Sequence, residues 1–410
     1  MSIYQMWRKF PKLIFSSQGT STSTNPNITS SKIAIRTIMT KNRIRIESIS
    51  SLKSHEGGKK IIPNYVKTSV LSKLHRVEWP SRLENIYIVK KPWNYNVRDA
   101  MIQVIEHLHG NYPQVKIIVN KTVADELWEE CNGTKKSNEL INDLVIYTGE
   151  IEDIVDKTDL IITLGGDGTI LRAVSVFSNV IVPPVLSFAL GTLGFLLPFD
   201  FKAFESTFKE VYENKAQALH RTRLECHLIG KDKNLQSSGS PGMIHAMNDI
   251  VLHRGSQPNL TALDIIIDGE LLTTTTCDGI VLSTPTGSTA YSLSSGGSIT
   301  HPSVPCILLT PICPRSLSFR PLILPATSHI IIQINESNRN GAIKLSIDGI
   351  SQADMKPGDQ IHVNSDKTNG GDSANGIWCF ARSEHDWTKD INELLGFNSS
   401  FRAQKQGHHI

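Results

Sequence analysis

The length, composition and cysteine content of the chain exclude several classes of protein. Its 410 residues suffice for one large core or, more comfortably, two, and 39% hydrophobic with 20% charged residues is ordinary for a globular protein. The six cysteines are scattered, with no C-x-x-C pair and no cluster with histidine. A disulfide framework and a structural zinc site are therefore not expected, and a reducing compartment fits better.

Charge is distributed unevenly along the chain. Residues 1–83 carry 15 Lys and Arg against 3 Asp and Glu, a net charge of +12, whereas the remainder has a net charge of −9. The first acidic residue is Glu47, and the basic residues before it are spread among many Ser and Thr. This composition is typical of a mitochondrial transit peptide, so we predict a matrix protein whose residues 1–80 form a targeting leader without a stable fold. The alternative is a disordered basic tail, which would suit nucleic-acid binding.

Strands and helices alternate between residues 85 and 219. Apolar runs predict strands at 86–90, 115–119, 144–147 and 159–164, and amphipathic stretches predict helices at 97–109 and 122–130. Because the strands are apolar throughout and helices separate them, we predict an α/β domain with a largely parallel sheet.

The pattern changes to short strands without long helices between residues 220 and 375. Strands are predicted at 224–229, 247–253, 263–267, 279–282 and 330–334. The pair Asp268-Gly269 predicts a hairpin turn that requires positive φ angles. We therefore predict a mostly antiparallel all-β C-terminal domain, followed by a segment, 376–410, that returns to the α/β domain and has a disordered end.

Three further segments bear on this organisation. Residues 178–199 carry no charge and are long enough to cross a bilayer, but Pro183, Pro184 and three later Gly or Pro residues would break a helix repeatedly. We predict a buried strand and a tight turn there, and no membrane span. The polar stretches 231–242 and 364–376 predict mobile loops.

The first segment that carries chemistry is Gly165-Gly166-Asp167-Gly168-Thr169, between a predicted strand and a predicted helix. Glycines let the backbone turn sharply beside an anion, and the first N–H groups of a helix point toward it, so Gly165, Gly166 and Thr169 are predicted to form a phosphate loop. Asp167 would repel an anion, and its predicted role is to accept a proton from an attacking hydroxyl or to hold Mg²⁺. The alternative is a tight turn capped by Thr169.

The second segment runs from Asp278 to Gly297 and follows the same logic. A strand leads into a Pro and Gly turn crowded with hydroxyl side chains, and a helix is predicted to begin near Ser288. Hydroxyls and free amides suit a polyphosphate or the base and ribose of a nucleotide, although a Ser and Thr capping cluster is the alternative. A third candidate is Asn248-Asp249, whose amide and carboxylate suit an adenine edge or ribose hydroxyls.

Absent motifs narrow the chemistry further. The chain has no G-x-x-x-x-G-K-[ST], which excludes a P-loop enzyme, and no G-x-G-x-x-G after its first predicted strand, which disfavours dehydrogenase-type dinucleotide binding. It also lacks the H-R-D and D-F-G set of protein kinases.

Taken together, these segments resemble the NAD kinase family over about Asn85 to Arg402. The likeness rests on Gly165–Thr169, Leu190–Phe195, Arg221–Leu224, Asn248-Asp249, Thr284–Ser292, Thr310–Pro314 and Leu317–Pro321. The Thr284–Ser292 segment is far more specific than the Gly-Gly-Asp-Gly-Thr motif, which lipid kinases and phosphofructokinase-like folds share. Within the family, the chain is most similar to the mitochondrial NADH kinases of yeasts.

The resemblance implies a reaction and a set of site residues. ATP with Mg²⁺ would phosphorylate the 2′-hydroxyl of the adenosine ribose of NADH or NAD, and Asp167 would activate that hydroxyl. Mg²⁺ would arrive with ATP, with Asp167 as a possible ligand, and no metal cluster of the protein's own is expected. The substrate-binding residues would be Gly168, Leu193, Phe195, Asn248, Asp249, Asp278, Thr286, Thr289, Ala290, Tyr291 and Ser294.

The resemblance also bears on partners and selectivity. It implies a homo-oligomer, with no nucleic-acid partner and no membrane span. Arg315 stands where many relatives have His and would either disfavour the cationic NAD⁺ ring or brace a loop or subunit contact. Two other function classes stay open at this point: a lipid kinase with the same Gly-Gly-Asp-Gly-Thr motif, and a non-catalytic NAD(H)-binding sensor.

Overall fold

A computed structural model describes residues 43–52, 60–132, 143–191, 194–231, 244–366 and 376–396. These residues belong to one compact unit that spans residues 40–410. None of the helices among them is long and apolar enough to cross a membrane.

The described chain as far as residue 221 begins with four strands and then mostly alternates strands with helices. Its strands are β1 (Arg43–Ser48), β2 (Asn64–Lys67), β3 (Leu74–Glu78), β4 (Asn85–Lys90), β5 (Lys116–Ile118), β6 (Asp143–Thr148), β7 (Leu160–Gly165), β8 (Val185–Ala189), β9 (Phe199–Asp200) and β10 (Gln217–Arg221). Its helices are α1 (Tyr95–Asn111), α2 (Lys121–Asn132), α3 (Ile151–Lys157), α4 (Asp167–Ser175) and α5 (Phe204–Tyr212).

The rest of the described chain consists mostly of strands. These are β11 (Leu224–Ile229), β12 (His245–Ala246), β13 (Asp249–His253), β14 (Thr261–Ile267), β15 (Glu270–Cys277), β16 (Gly279–Ser283), β17 (Cys306–Ile312), β18 (Leu322–Pro325), β19 (Ile330–Ile334), β20 (Lys344–Ile347), β21 (Ile350–Ser351), β22 (Gln360–Ser365) and β23 (Ile377–Ala381). Two helices complete it, the four-residue α6 (Tyr291–Ser294) and α7 (Asp386–Leu395).

The first sheet has eleven strands and is mostly parallel. Its order is β1-β6-β5-β4-β7-β8-β23-β10-β3-β2, with β9 paired to β8. The pairs from β1 to β23 are parallel, and β10, β3 and β2 add an antiparallel edge. The predicted α/β fold class is therefore confirmed.

Burial explains why the central strands of this sheet read as unbroken apolar runs. Every residue of β4, β7 and β8 is buried. Ile86 and Ile88 join one apolar core, whereas Tyr87 and Val89, which point to the opposite face, join another. A sheet covered on both faces needs apolar side chains at every position, so no polar alternation appears in the sequence.

The second region is a pair of antiparallel sheets with a shared core. One sheet has the order β12-β11-β22-β19-β14-β15 and the other β18-β17-β16-β13-β20-β21. Leu263 and Ile265 from the first pack into the same core as Ile250, Leu252 and Ile280 from the second. Between β14 and β15, Asp268 and Gly269 have φ angles of 52° and 91°, as the predicted hairpin turn requires. The antiparallel C-terminal region is confirmed.

The leader prediction was wrong for residues 43–52 and 60–80, because three strands lie within 43–78. β1 pairs in parallel with β6, and Ile44 is 2% exposed. β3 pairs with β10 and buries Leu74 and Val77. β1 and β2 are the edge strands of the sheet and β3 is next to an edge. They are short, and charged residues such as Arg43 and Arg45 occupy exposed positions, so the sequence shows no sustained apolar period there.

The other segments singled out from the sequence have mixed outcomes. The uncharged stretch 178–199 contains β8, a buried strand, as predicted. The predicted loops fall largely on 232–243 and 367–375, which lie outside the described residues. After the second of these, β23 lies between β8 and β10 of the first sheet.

Candidate active site

The turn between β7 and α4 brings the chain into close contact with itself at Gly165. Gly165 has a φ of 152°, and a Cβ atom there would lie 2.4 Å from Thr169 Oγ1 and 2.9 Å from Lys91 Cβ. The N–H of Gly166 donates to Thr169 Oγ1 at 3.4 Å, and Gly168 is exposed in the first turn of α4. This turn leads into the N-terminal end of α4, and anions bind favourably at that end of a helix.

Asp167 is the first residue of α4, and two backbone groups hold its side chain. Its carboxylate accepts the N–H of Phe195 at 3.2 Å and the N–H of Leu196 at 3.1 Å. A Cβ atom on Gly194 would lie 2.2 Å from Asp167 Oδ1, so the segment can approach this closely only as glycine. Leu193, predicted to bind substrate, lies outside the described residues, whereas Phe195 is half-buried beside Asp167.

Burial raises the pKa of Asp167 above its ordinary value, and the two backbone hydrogen bonds and the charge of Arg221 oppose that shift. Hydrogen bonds to the ionised form and a nearby cation favour the anion, whereas burial disfavours it. Asp167 is thus a carboxylate with fixed orientation and a basicity above that of an exposed aspartate.

Arg221 links the first segment to the second and was not among the predicted site residues. It ends β10, is 8% exposed, and its Nη1 donates to Thr286 Oγ1 at 3.3 Å. Its charge also acts on Asp167. The guanidinium therefore lies between the phosphate loop of the first sheet and the hydroxyl-rich loop of the second region. In the sequence, Arg221 stood out only as part of the Arg221–Leu224 segment that resembles the family. No local pattern indicated that its side chain belongs to the site.

The hydroxyl-rich loop packs directly on the Asn248 backbone. Thr284 Oγ1 donates to the carbonyl of Met247 at 2.6 Å, and the N–H of Thr284 donates to the carbonyl of Asn248 at 2.9 Å. A Cβ atom on Gly287 would lie 2.1 Å from the Asn248 carbonyl oxygen, which explains the glycine. The second and third candidate segments are therefore in contact.

The helix predicted near Ser288 is instead two short turns. Residues Thr286–Thr289 form a 3₁₀ turn, Ala290 departs from helical angles with φ −98° and ψ −130°, and α6 follows. The Thr289 hydroxyl is committed to the carbonyl of Thr286 at 3.3 Å. Small hydroxyl residues compete with helical hydrogen bonding through such local bonds, so the segment breaks. Tyr291 and Ser294 are exposed on α6.

Asp348 fixes the backbone of the Asn248-Asp249 segment. Its carboxylate accepts the N–H groups of Met247 at 2.8 Å, Asn248 at 2.7 Å and Asp249 at 3.1 Å. The Asn248 side-chain oxygen is buried and has no hydrogen-bond partner among the described residues. A buried polar atom of this kind is rare in native proteins and points to a ligand donor.

Asp249 lies next to this anchor and is 6% exposed. Burial, and then the charge of Asp348, raise the pKa of Asp249 to about 7, although the backbone N–H of Tyr291 donates to its carboxylate. The pKa of the Tyr291 phenol is also raised, first by burial and further by charges that include Asp278 and Asp249. Asp278 itself forms an ion pair with Arg254 Nε at 2.5 Å. Two of the predicted residues, Asp249 and Asp278, therefore act on the phenol of a third, Tyr291.

Comparison with known proteins identifies the family of this chain. The ATP-NAD kinase N-terminal domain matches residues 86–216 and the ATP-NAD kinase C-terminal domain matches residues 247–369. The mitochondrial NADH kinase POS5 of Saccharomyces cerevisiae is 50% identical over 388 residues, which cover 88% of this chain and 91% of that protein. The chain belongs to the NAD kinase family.

Two further matches place this NAD kinase among solved and curated proteins. The mitochondrial NADH kinase pos5 of Schizosaccharomyces pombe is 42% identical, with 81% of this chain and 80% of that protein covered. The crystal structure of yeast NADH kinase complexed with NADH superposes with a TM-score of 0.77 at 53% identity, covering 88% of this chain and 99% of that one. The chain is an ATP-dependent NAD(H) kinase of mitochondrial type, and the lipid kinase and sensor alternatives are set aside.

The family implies a divalent metal that accompanies ATP. In the described part of the chain, the one group of three metal-ligand side chains is Glu225, His245 and Asp366, and Asp167 is not in it. A single carboxylate suits Mg²⁺ that keeps most of its ligands as waters and phosphate oxygens, because this ion is rarely held by an all-protein cage. The residues therefore fit Mg²⁺ that arrives with ATP.

Proposed function

We propose that this NAD kinase uses NADH in preference to NAD⁺ and phosphorylates the 2′-hydroxyl of its adenosine ribose with ATP. The two relatives that support the preference are named NADH kinases, at 50% and 42% identity over at least four fifths of each chain. The reaction product would be NADPH, formed directly from the reduced dinucleotide.

Asp167 is the proposed catalytic residue. A carboxylate has about four lone-pair positions, and the N–H groups of Phe195 and Leu196 use two of them. The remaining positions are available to orient the attacking hydroxyl and accept its proton. Because a carboxylate is a weak base toward a sugar hydroxyl, positioning and charge stabilisation contribute more than proton abstraction.

The phosphate loop is proposed to hold the transferred group. Gly165, Gly166, Gly168 and Thr169 present the start of α4 to phosphate oxygens. Arg221, which contacts Thr286 and acts on Asp167, is well placed to neutralise charge on the moving phosphoryl group. Mg²⁺ bound to ATP would supply further charge neutralisation, and Asp167 is the residue proposed to hold it.

The second region is proposed to recognise the dinucleotide. The unpartnered Asn248 oxygen suits the amino group of adenine, and Asp249 suits the ribose hydroxyls. The other residues proposed to contact the dinucleotide are Leu193, which lies outside the described residues, Phe195, Asp278, Thr286, Thr289, Ala290, Tyr291 and Ser294. The observation that carries the proposal is the contact of Gly287 with Asn248, because it joins the two recognition segments into one surface.

The decisive test of the proposed preference is a comparison of substrates. Purified enzyme with Mg·ATP receives NADH or NAD⁺, and NADPH or NADP⁺ is measured with enzymes specific for the phosphorylated forms. We expect kcat/KM for NADH to exceed that for NAD⁺ by at least tenfold. Equal values, or a higher value for NAD⁺, contradict the preference, whereas loss of activity with both substrates contradicts the enzyme assignment itself.

The location and organisation of the chain form the last part of this proposal. We propose a matrix enzyme that assembles as a homo-oligomer and whose leader precedes the α/β domain, which was predicted at 85–219 but begins at β1. A β domain (220–375) follows, and 376–410 returns to the first domain. Because β1 starts at Arg43, the leader must end before it.

Removal of residues 1–39 should leave kcat unchanged and retain the protein in the cytosol, as measured by enzyme assay and cell fractionation. Removal of residues 1–50 should destabilise it, because β1 is lost. A mitochondrial 40–410 variant contradicts the proposal.

A further inference from the structure

Glu225, His245 and Asp366 come together where the chain passes between its two regions. Glu225 in β11 and His245 in β12 are directly opposite each other in an antiparallel pair, so their side chains share one face. Asp366 follows the last residue of β22, and its N–H donates to the carbonyl of Arg223 at 2.9 Å. One ligand atom from each of the three side chains lies within 4.8 Å of the other two.

His245 has an environment that hydrogen bonding does not explain. The residue is 4% exposed, and neither ring nitrogen has a hydrogen-bond partner among the described residues. Its Nε2 lies 3.3 Å from Asp366 Oδ1, but the direction of approach does not suit an N–H donor. A buried imidazole that faces two carboxylates but forms no hydrogen bond with them is not explained as a proton donor. Its position indicates instead that a ring nitrogen binds a further group.

We propose that Glu225, His245 and Asp366 bind one divalent transition-metal ion, with Zn²⁺ as the best match. Zn²⁺ bonds of 2.0–2.1 Å in a tetrahedron place neighbouring ligand atoms about 3.3 Å apart, which is the separation of His245 Nε2 and Asp366 Oδ1. One imidazole and two carboxylates are suitable Zn²⁺ ligands, and a water molecule would complete four-coordination. The half-buried Glu225 is the ligand with most freedom to adjust.

The surrounding charges fit a dication. The Arg223 side chain is fully buried, and its Nε donates to Asp366 Oδ2 at 2.8 Å. With a neutral imidazole, two carboxylates and one guanidinium give the cluster a net charge of −1, so a dication is attracted to it. The outer partners also orient the ligands: Arg223 holds Asp366, and His227 Nε2 lies 2.7 Å from Glu225 Oε1. Metal ligands are commonly held by such outer hydrogen bonds.

The site is separate from the residues proposed for catalysis. It would connect β11, β12 and the segment that leaves β22 for the first sheet, a point where Arg223 also donates to the carbonyls of Phe177 and Val180 at 3.4 Å. An ion there would stabilise the folded state by mass action, because the unfolded chain does not bring the three ligands together.

The test uses the full chain, freed of metal with a chelator, without nucleotide. Co²⁺ is titrated and its visible absorption recorded, and thermal unfolding is measured with and without Zn²⁺. We expect one Co²⁺ per chain in a low-symmetry site, and a higher Tm with Zn²⁺. His245→Gln and Glu225→Gln should each weaken Co²⁺ binding at least tenfold and abolish the Zn²⁺-dependent rise in Tm.

His362→Gln is the matched control. His362 Nδ1 lies 3.1 Å from His329 Nε2, so this variant removes a histidine pair, outside the three proposed ligands, that could attract the ion. Any ion at His408 and His409 affects all variants equally. The proposal is overturned if wild type binds no Co²⁺, if both ligand variants bind as wild type does, or if only His362→Gln loses binding. If His245→Gln does not fold, Co²⁺ binding by Glu225→Gln, at the half-buried ligand, decides the outcome.

Discussion

The two halves of the active site are built in opposite ways. In the first sheet, the side chain of Asp167 is itself held, by backbone N–H groups of Phe195 and Leu196. In the second region, Asp348 holds the backbone of Met247 to Asp249, while the Asn248 oxygen is left without a partner among the described residues. The first arrangement fixes a functional group, and the second fixes the chain that presents one.

This difference suits the two tasks. A group that acts on the reacting hydroxyl must be oriented before the substrate arrives, because every added degree of freedom reduces the rate. A recognition group must instead keep its hydrogen-bonding capacity for the ligand, and only its position needs to be determined. Substitutions in the first half should therefore lower kcat, and substitutions in the second should raise KM.

The largest effect is expected from Gly194→Ala. The new Cβ atom would lie 2.2 Å from Asp167 Oδ1, so the carboxylate must move away from its two N–H donors. We expect kcat to fall at least a hundredfold, about 2.7 kcal/mol in barrier, with KM for NADH changed less than fivefold. Gly341→Ala is the matched control, since nothing lies within 4 Å of its added Cβ. A Gly194→Ala enzyme with near wild-type kcat would show that the orientation of Asp167 is not critical.

A smaller, pH-dependent effect is expected from Asp249. Its pKa of about 7 means that it is largely protonated at pH 6 and ionised at pH 8. Only the ionised carboxylate accepts hydrogen bonds from both ribose hydroxyls, so KM for NADH should fall severalfold as pH rises from 6 to 8. Stability has the opposite trend: between pH 4 and 7 the folded state retains a proton that the unfolded chain releases, so the unfolding free energy falls as pH rises.

The Asp249→Asn variant tests both trends. It should show a KM for NADH that is independent of pH between 6 and 8 and a flatter dependence of unfolding free energy on pH. Steady-state kinetics and chemical denaturation at several pH values measure these. A wild-type KM that is constant over this range would mean that Asp249 is ionised throughout. Other interactions would then offset the effect of burial on its pKa.

The smallest effect is expected from a substitution of Arg315, in the second region. Arg315 lines a cavity of about 590 Å³ together with Thr273–Thr276 and Arg320. If its charge disfavours NAD⁺, Arg315→His should lower the NADH to NAD⁺ ratio of kcat/KM by up to tenfold, or about 1.4 kcal/mol. Arg320→His, in the same cavity, is the control. If the ratio is unchanged in Arg315→His, the role of Arg315 is to hold its loop in place. The hydrogen bond from its backbone N–H to the carbonyl of Thr276 agrees with that role.

Much of this fold follows from local sequence pattern. The apolar runs of β4, β7 and β8 predicted a parallel sheet because strands covered on both faces must be apolar throughout. The strands β1 to β3 were missed, because β1 buries one residue, β2 none and β3 two that are three positions apart. They gain their order from distant partners such as β6 and β10. Strand pairing across so long a sequence separation leaves no local signal.

The candidate site shows the same limit. Asp167, Asn248 and Asp249 stand in recognisable motifs, whereas the residues that support them are remote in sequence. Asp348 reads only as a turn residue before Gly349, and its contacts with Met247 to Asp249 span about 100 residues. The proposed metal ligands Glu225, His245 and Asp366 are equally dispersed, so cysteine and histidine spacing gave no indication of them.

The single-turnover rate of Asp167→Asn is the most direct test of the catalytic role proposed for Asp167. The substitution is nearly isosteric and removes the charge that orients the ribose hydroxyl and the metal-bound phosphate. With NADH and Mg·ATP saturating, we predict phosphorylation at least a hundredfold slower than wild type, while NADH affinity, measured by its fluorescence, and the unfolding midpoint change little. A rate within about tenfold of wild type, roughly 1.4 kcal/mol in barrier, would contradict the catalytic role of Asp167.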